Sequence, residues 1–252
     1  MKKDNLIVKI LPSRKEMGIA AAEDIRAKIK ELLAKKPEIN MIFAAAPSQN
    51  EALEALLSFD DIEWNRINAF HMDEYIGLDK SDADKSFGFY LTEHIFGKVP
   101  FGSINLINGF SDNAEEECAR YAKLILDNPT DIVVMGIGEN GHIAFNDPPV
   151  ADFNDREVIK PVTLDEICRN QQVNDGCFES LDRVPKQALT LTCPTLFKGD
   201  YLFCIVPAKT KAQAVERTLN GEISEKCPAT ILRRHENAVL YLDNDSSALL
   251  DE

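Results

Sequence analysis

The stretch "DIVVMGIGENGHIAFNDPP", from Asp131 to Pro149, decides the fold prediction. Its apolar run at 132–135 is typical of a buried strand, and glycines follow at 136, 138 and 141. The spacing G-x-G-x-x-G after a strand is typical of a dinucleotide-binding loop. That loop opens a long helix at its third glycine, and the prolines at 148 and 149 block such a helix here. The glycines therefore predict a turn at the end of a strand, and a nicotinamide site is disfavoured.

Outside this stretch, strand-like and helix-like segments alternate along the chain. Strands are predicted at 6–11, 39–46, 67–72, 132–135, 201–207 and 237–242. Capping boxes at Ser13 to Glu16 and Ser48 to Glu51 predict the starts of two helices. The first helix is expected to bury Ile19, Ile25, Ile29, Leu32 and Leu33. The pattern predicts an α/β fold: a three-layer, mostly parallel, Rossmann-like sheet with helices on both faces.

Length and composition predict one domain over residues 1–252. The chain is 44% hydrophobic, which is enough for a sizeable core, and it has no linker-like or repeated segment. The segment from Pro148 to Pro161 is the least regular, and its composition fits an active-site lid or an ordinary surface excursion. A net charge of −14 argues against non-specific nucleic-acid binding, because a phosphate backbone is held by clustered Lys and Arg.

The sequence also bears on compartment. No apolar run approaches the roughly 20 residues of a membrane span, and the N-terminal residues lack the pattern of a secretion signal. The six cysteines lie far apart without a C-x-x-C pair, which predicts reduced thiols and no zinc site. These observations predict a cytoplasmic protein without a membrane partner.

Polar residues follow four of the predicted strands, and ligands of open α/β sheets bind at the carboxyl ends of strands. The segments are "APSQ", "HMDEY", "GENGH" and "PAKTK", with the candidates Ser48, Asp73, Glu74, His142, Lys209 and Lys211. Each candidate has a structural alternative. Ser48 fits a helix cap, the carboxylates fit a solvated turn, the histidine fits a structural role, and the lysines fit a helix surface.

Five blocks in order, "AFHMDEYIGL", "SFGFYL", "EECARY", "GIGENGHIAFNDP" and "VPKQALTL", resemble the glucosamine-6-phosphate deaminase/isomerase family. The resemblance runs from about residue 40 to residue 245. It implies isomerisation of a phosphorylated amino sugar with loss of ammonia, giving fructose 6-phosphate without a metal or organic cofactor. The related 6-phosphogluconolactonases share the fold and a Gly-His loop, so hydrolysis of a phosphosugar lactone is the alternative reaction.

The resemblance implies roles for individual residues. Asp73 matches the carboxylate that moves a proton between C2 and C1, and His142 matches the histidine that opens the sugar ring. Lys211 and Ser48 match phosphate-binding residues. Gln49, Glu74 and Gly136 flank these positions and are further candidates for contact with substrate.

The chain departs from the family pattern at three places. Asn140 and Asp147 stand where the family usually has an aspartate and a glutamate that orient the histidine. An asparagine can hold the ring by a hydrogen bond but supplies no charge. The loop "AAAPSQNEA" lacks the paired glycines of the usual phosphate loop. The phosphate-binding arginine of the family aligns near Gln172, with Arg169 one helical turn earlier.

These departures leave a third alternative, a phosphosugar-binding relative without catalysis. The expected partner under each alternative is a phosphorylated sugar. The sequence leaves a homo-oligomer open.

Overall fold

The computed structural model describes residues 1–250. Its strands are β1 (Lys2–Lys3), β2 (Leu6–Leu11), β3 (Ile39–Phe43), β4 (Ile67–His71), β5 (Asp73–Ile76), β6 (Ser103–Asn105), β7 (Ile132–Met135), β8 (Ile159–Thr163), β9 (Gln187–Leu191), β10 (Tyr201–Val206) and β11 (Ala238–Asp243). Its α-helices are α1 (Arg14–Leu33), α2 (Asn50–Leu57), α3 (Phe87–Leu91), α4 (Ala114–Asp127), α5 (Glu166–Asn174), α6 (Cys193–Phe197) and α7 (Ala212–Asn220). Within residues 1–250, no helix combines the length and the apolar character needed to span a bilayer.

The larger sheet has the strand order β1-β2-β11-β10-β7-β3-β4-β6. Every neighbouring pair is parallel except β1 with β2, which is antiparallel. β7 lies in the interior of the sheet between β10 and β3, so the stretch after it leaves from the middle of the carboxyl edge. The mostly parallel sheet predicted from the sequence is confirmed.

Alternate side chains of the strands pack on opposite faces of this sheet. On β7, Ile132 and Val134 belong to one apolar cluster, with α1 and α2, and Val133 and Met135 belong to the other, with α4 and α7. Because both faces are covered, the interior strand β7 is apolar and buried throughout instead of alternating with polar residues. Helices on both faces therefore follow from the composition of the strands.

A second, antiparallel sheet with the order β5-β9-β8 was not predicted. The acidic segment after the third predicted strand is a strand in its own right: Asp73 pairs with Thr190, and Glu74 pairs with Leu189. Carboxylates are uncommon in strands, so the local sequence favoured a turn. β8 begins within the irregular segment between Pro148 and Pro161, and pairing with β9 fixes it.

Two local predictions are corrected by the structure. Ser13 does cap α1, accepting a hydrogen bond from the backbone N–H of Glu16 at 3.3 Å. Ser48 caps nothing, because a 3₁₀ turn over Pro47–Gln49 comes before α2 and the N-cap position falls on Gln49. Ile19 is 38% exposed, so the prediction that it is buried is wrong, whereas the other four predicted residues of α1 are buried in the core. All six cysteines are free thiols, as predicted.

Candidate active site

The carboxyl ends of β3, β7 and β10 border one cleft with a volume of about 750 Å³, part of which is open to solvent. The cleft is lined by the loops 44–48, 136–138 and 207–211. It is also lined by Asp73 on β5 and by the end of α5. Its polar side chains are Arg14, Ser48, Asp73, His142, Gln171, Gln172, Asp175, Thr210 and Lys211. Segments that are far apart in the sequence therefore meet where an open α/β sheet binds its ligands.

The glycine turn after β7 is shaped by the imidazole of His142. A Cβ atom at Gly138 would stand 2.1 Å from Cε1 of His142, so the ring lies flat against the backbone at that position. Gly141 has φ +88°, and a Cβ atom there would also meet the Cys227 sulfur at 2.4 Å. Close approach thus requires glycine at position 138, and close approach together with a left-handed backbone requires it at position 141. Both glycines serve the placement of a histidine, and no helix follows them to bind a pyrophosphate.

His142 is held through one ring nitrogen. Its Nδ1 lies 2.8 Å from Oδ1 of Asn140 and 2.8 Å from Oδ1 of Asp147. Because both neighbours are acceptors, Nδ1 carries a proton, and Nε2 is left to exchange a proton with a ligand in the cleft. Asn140 completes the group by donating from Nδ2 to Asp147 at 2.9 Å. The asparagine therefore orients both the ring and the carboxylate.

Asp147 supplies the negative charge of this group. Burial disfavours its ionised form, but the attraction of His142 and the hydrogen bonds from His142 and Asn140 outweigh burial, so the pKa of Asp147 lies below its usual value. The ionised Asp147 accepts from Nδ1 of His142, which fixes the tautomer and the orientation of the ring. The charge that position 140 lacks is thus available from position 147.

Asp73 lines the same cleft and is only 7% exposed. Burial, together with the neighbouring carboxylates of Glu74 and Asp147, raises the pKa of Asp73 well above its usual value. A raised pKa makes the ionised carboxylate a stronger base, which suits removal of a proton from carbon. Asp73 and His142 therefore offer the cleft a base and a separate group for proton exchange.

The cleft lining also carries hydroxyl and cationic groups, at Arg14, Ser48 and Lys211, and this part of the cleft is called its anion end. Ser48 Oγ accepts a hydrogen bond from Nε2 of Gln49 at 2.9 Å, which leaves the hydroxyl proton available to a ligand. Gly136 allows this approach, because a Cβ atom there would stand 3.3 Å from Ser48 Oγ. Lys211 is buried against the same end, and no carboxylate among residues 1–250 lies within ion-pair distance of its Nζ. Burial lowers the pKa of Lys211, and the charges of Asp175 and Glu139 partly oppose that shift.

The candidates that lie outside the cleft lining are Gln49, Glu74, Asn140, Asp147, Arg169 and Lys209. Gln49 is fully buried beneath the loop and supports Ser48. Glu74 accepts hydrogen bonds from the backbone N–H groups of Tyr75, Phe87 and Gly88 and so fixes the start of α3, while burial raises its pKa to about 7. Arg169 donates from Nη2 to the carbonyl oxygens of Leu181 at 2.6 Å and Val184 at 2.9 Å.

The remaining candidates line the cleft, together with residues that sequence reasoning missed. Gln172 faces it and accepts a hydrogen bond from the Tyr75 hydroxyl at 2.8 Å. Gln171 accepts the backbone N–H of Glu139 at 2.8 Å and was not singled out from the sequence. Arg14 and Asp175 were also missed. The first predicted strand ends just before "PSRK", so applying the strand-end rule there too would have pointed to Arg14.

One group of side chains within residues 1–250 has a metal-like composition. The ligand atoms of His142, Asp147 and Cys168 lie within 4.8 Å of one another, and all three residues are buried. They offer nitrogen, oxygen and sulfur ligands, a set that zinc accepts. The contact between His142 and Asp147 is already a 2.8 Å hydrogen bond, so a metal ion would have to replace it.

Comparison with known proteins identifies relatives over nearly the whole chain. Residues 12–241 match the family model for glucosamine-6-phosphate isomerases and 6-phosphogluconolactonase. The glucosamine-6-phosphate deaminase of Bacillus cereus strain B4264 is 32% identical over 248 residues, covering 98% of this chain and 89% of the relative. The deaminase of Bacillus thuringiensis strain Al Hakam has the same identity and coverage.

Solved structures agree with the sequence comparison. A monomeric glucosamine-6-phosphate deaminase superposes with a TM-score of 0.86 at 32% identity, covering 96% of this chain and 99% of that one. A 6-phosphogluconolactonase from Thermotoga maritima superposes with a TM-score of 0.76 at 22% identity, over 94% of this chain and 99% of that one. At that lower identity the second comparison supports the fold alone.

Proposed function

Because the chain belongs to the family of glucosamine-6-phosphate isomerases and 6-phosphogluconolactonases, we propose that it is an amino-sugar-phosphate deaminase/isomerase. The proposed reaction converts glucosamine 6-phosphate and water to fructose 6-phosphate and ammonia. The observation that carries the proposal is the meeting, in one cleft, of a buried carboxyl at Asp73 with the hydrogen-bonded pair of His142 and Asp147. Relatives that are named glucosamine-6-phosphate deaminases, at 32% identity, support the choice of substrate.

The first chemical step is the opening of the sugar ring. His142 donates a proton from Nε2 to the ring oxygen, solvent water accepts the proton of the C1 hydroxyl, and the C1–O5 bond breaks to give the open-chain aldehyde. Asp147 stabilises the imidazolium form that donates this proton, and Asn140 keeps the ring in place. This step needs the histidine and its carboxylate, which the structure holds at 2.8 Å.

The second step moves a proton from C2 to C1. The carboxylate of Asp73 removes the C2 proton, the electron pair forms a C1–C2 double bond, and the aldehyde oxygen takes up a proton. Return of the proton to C1 gives an imine at C2, and water then adds to C2 and ammonia leaves. A base that both takes and returns the proton must be a stronger base than an ordinary surface carboxylate, which the raised pKa of Asp73 provides.

The lactonase alternative uses a different part of this site. Hydrolysis of a lactone needs a base for water and a phosphate clamp, but it has no carbon-bound proton to move. Asp73 would then have no role, although it is buried in the cleft with a carboxyl of raised pKa. A buried carboxyl that costs desolvation free energy is more readily explained by the deaminase reaction.

The test is an assay of the purified full chain with glucosamine 6-phosphate and, separately, with 6-phosphogluconolactone. We expect fructose 6-phosphate and ammonia in equal amounts and no lactone hydrolysis above the uncatalysed rate. Lactone hydrolysis without ammonia release would replace the proposal by the alternative. We also propose a cytoplasmic location, which six free thiols support, and fractionation of the source cells tests it.

A further inference from the structure

The cleft lacks a guanidinium group from α5. The family resemblance implies a phosphate-binding arginine near Arg169. Arg169 instead donates from Nη2 to the carbonyl oxygens of Leu181 and Val184. Those contacts fix the segment after α5 and keep the side chain outside the cleft lining. Gln172, the other aligned position, lines the cleft but is neutral. A phosphate dianion in the cleft would therefore contact no arginine from α5.

A different arginine lines the cleft from the first turn of α1. Arg14 donates from Nε to Oε1 of Glu51 at 2.6 Å and from Nη2 to the carbonyl oxygen of Pro47. Pro47 and Ser48 are adjacent on the loop that borders the cleft, so the guanidinium is held against the same loop that carries the Ser48 hydroxyl. Among residues 1–250 no hydrogen bond occupies Nη1, and the side chain remains 37% exposed.

The packing of α1 on α2 holds this arginine in place. Gly18 lies one helical turn after Arg14, and a Cβ atom there would stand 2.5 Å from Cβ of Glu51 and 2.9 Å from the backbone nitrogen of Ala52. Only a glycine lets the two helices approach so closely at this point. The close approach brings Glu51 within hydrogen-bond distance of Arg14, so the side chain is preorganised before any ligand binds.

We propose that Arg14 binds the phosphate group of the substrate, together with Ser48 and Lys211, in place of the arginine that α5 does not supply. This proposal rests on the proposed function in that the ligand is a phosphosugar. A guanidinium keeps its charge at every pH of interest and presents planar donors that match phosphate oxygens. Burial lowers the pKa of Lys211, so Arg14 is the cleft cation whose charge does not depend on its surroundings.

The experiment compares Arg14→Gln with a matched control on the same helix, Arg26→Gln. Arg26 donates from Nε to Asp61 at 2.6 Å, as Arg14 does to Glu51, but it lies outside the cleft. Calorimetry measures the Kd of inorganic phosphate and of glucosamine 6-phosphate. For Arg14→Gln we expect both Kd values to rise about 10- to 100-fold, with an intermediate rise for Arg14→Lys and no change for Arg26→Gln. We also expect KM to rise with kcat changed by less than about 3-fold.

Two further variants separate phosphate binding from structural effects. Glu51→Gln removes the same ion pair and keeps the guanidinium, so phosphate affinity should stay within about 3-fold of the wild type. A loss equal to that of Arg14→Gln would assign the effect to the ion pair and overturn the proposal. The proposal is equally overturned if Arg169→Gln abolishes phosphate binding and Arg14→Gln does not. Binding can be measured without turnover. If glucosamine 6-phosphate binds through Arg14 but is not converted, the proposed function is contradicted and the role of Arg14 in phosphate binding stands.

Discussion

The two ends of the cleft are built in different ways. At the reaction end, Gly138, Asn140, His142 and Asp147 come from one stretch of ten residues, and the last three hold one another by hydrogen bonds of 2.8 to 2.9 Å. At the anion end, Arg14, Ser48 and Lys211 come from three separate segments. A group of neighbouring residues keeps its geometry when distant parts of the chain change. In a binding site assembled from several segments, a residue from one segment can take over the role of a residue from another. Both ends depart from the family pattern, the reaction end through Asn140 and Asp147 and the anion end through the missing loop glycines and the missing arginine of α5.

The largest expected effect is that of Asp73→Asn, which removes the base and leaves the anion end untouched. We expect kcat for deamination to fall about 10²- to 10⁴-fold. The Kd of glucosamine 6-phosphate should change little, because the phosphate contacts remain. Coupled assay of fructose 6-phosphate and calorimetry measure the two quantities.

The exposed carboxylate Asp60 provides the control, since Asp60→Asn changes the same charge outside the cleft and should leave kcat unchanged. An unaltered deamination rate in Asp73→Asn would place the base elsewhere. Lactone hydrolysis that persists in this variant would favour the lactonase alternative, in which Asp73 has no role.

A pair of glycine variants addresses the two ends separately. At the reaction end, the methyl group of Gly138→Ala would overlap the imidazole of His142, at 2.1 Å, and displace it. A misplaced proton-transfer group costs about 100-fold in rate, so kcat should fall by about that factor. At the anion end, the methyl group of Gly136→Ala meets Nε2 of Gln49 at 3.1 Å and Ser48 Oγ at 3.3 Å, and these side chains can move by a few tenths of an ångström.

For Gly136→Ala we therefore expect KM to rise about 3- to 10-fold with kcat nearly unchanged. Steady-state kinetics of both variants give the comparison, and circular dichroism shows whether each is folded. If Gly136→Ala lowered kcat as much as Gly138→Ala does, the anion end would contribute to the chemical step as well as to binding, contrary to what the structure indicates.

The same contrast explains how much the sequence could reveal. The apolar strands predicted the parallel sheet, and the turn around His142 was recognised because all its parts are neighbours in sequence. β5 was missed because its carboxylates disfavour a strand locally, and its partner β9 lies more than 100 residues away. Arg14 was missed because its position beside Pro47 depends on how α1 packs on α2. Ser48 was assigned as a cap because a capping box cannot be told from a 3₁₀ turn by letters alone.

A smaller effect is expected in the pH dependence of the rate. In the proposed mechanism only ionised Asp73 removes the C2 proton, so kcat/KM should fall as the pH falls through the pKa of Asp73. Because that pKa is raised, the acid limb should lie above the value of about 3.9 that is usual for aspartate. Asp147, whose pKa is lowered, stays ionised over the same range.

The variant Glu74→Gln tests this assignment, since the charge of Glu74 is one cause of the raised pKa of Asp73. Removing that charge should lower the pKa of Asp73 and move the acid limb of kcat/KM to lower pH by a fraction of a unit. The glutamine can still accept from Tyr75 and Phe87 through its amide oxygen, but its NH2 group would face the Gly88 N–H that Oε2 accepts at 2.8 Å, so circular dichroism must show that the variant is folded. An acid limb that does not move would mean that a group other than Asp73 controls it.

The smallest effect on the rate is expected for Asn140→Asp, which restores the carboxylate that the family usually has. The new carboxylate would still accept from Nδ1 of His142 and would favour the imidazolium form. It would also lose the N–H donors that Asn140 directs at Asp147, at 2.9 Å, and at Asp165, at 3.3 Å, and would set three carboxylates against one another. We therefore expect kcat to change by less than about 5-fold, and the pH optimum to move upward.

The same repulsion should reduce stability, and by more at about pH 7, where the carboxylates are ionised, than at about pH 3.5, below the usual aspartate pKa of about 3.9. Thermal unfolding of Asn140→Asp and the wild type at both values measures this difference. A loss of stability that is the same at both would show that position 140 contributes hydrogen-bond geometry without charge repulsion. A larger loss at the higher pH would explain why an asparagine suits this chain. Asp147 already supplies an ionised carboxylate beside His142, so a second carboxylate at position 140 adds only repulsion. It also removes the N–H donor that holds Asp147 in place.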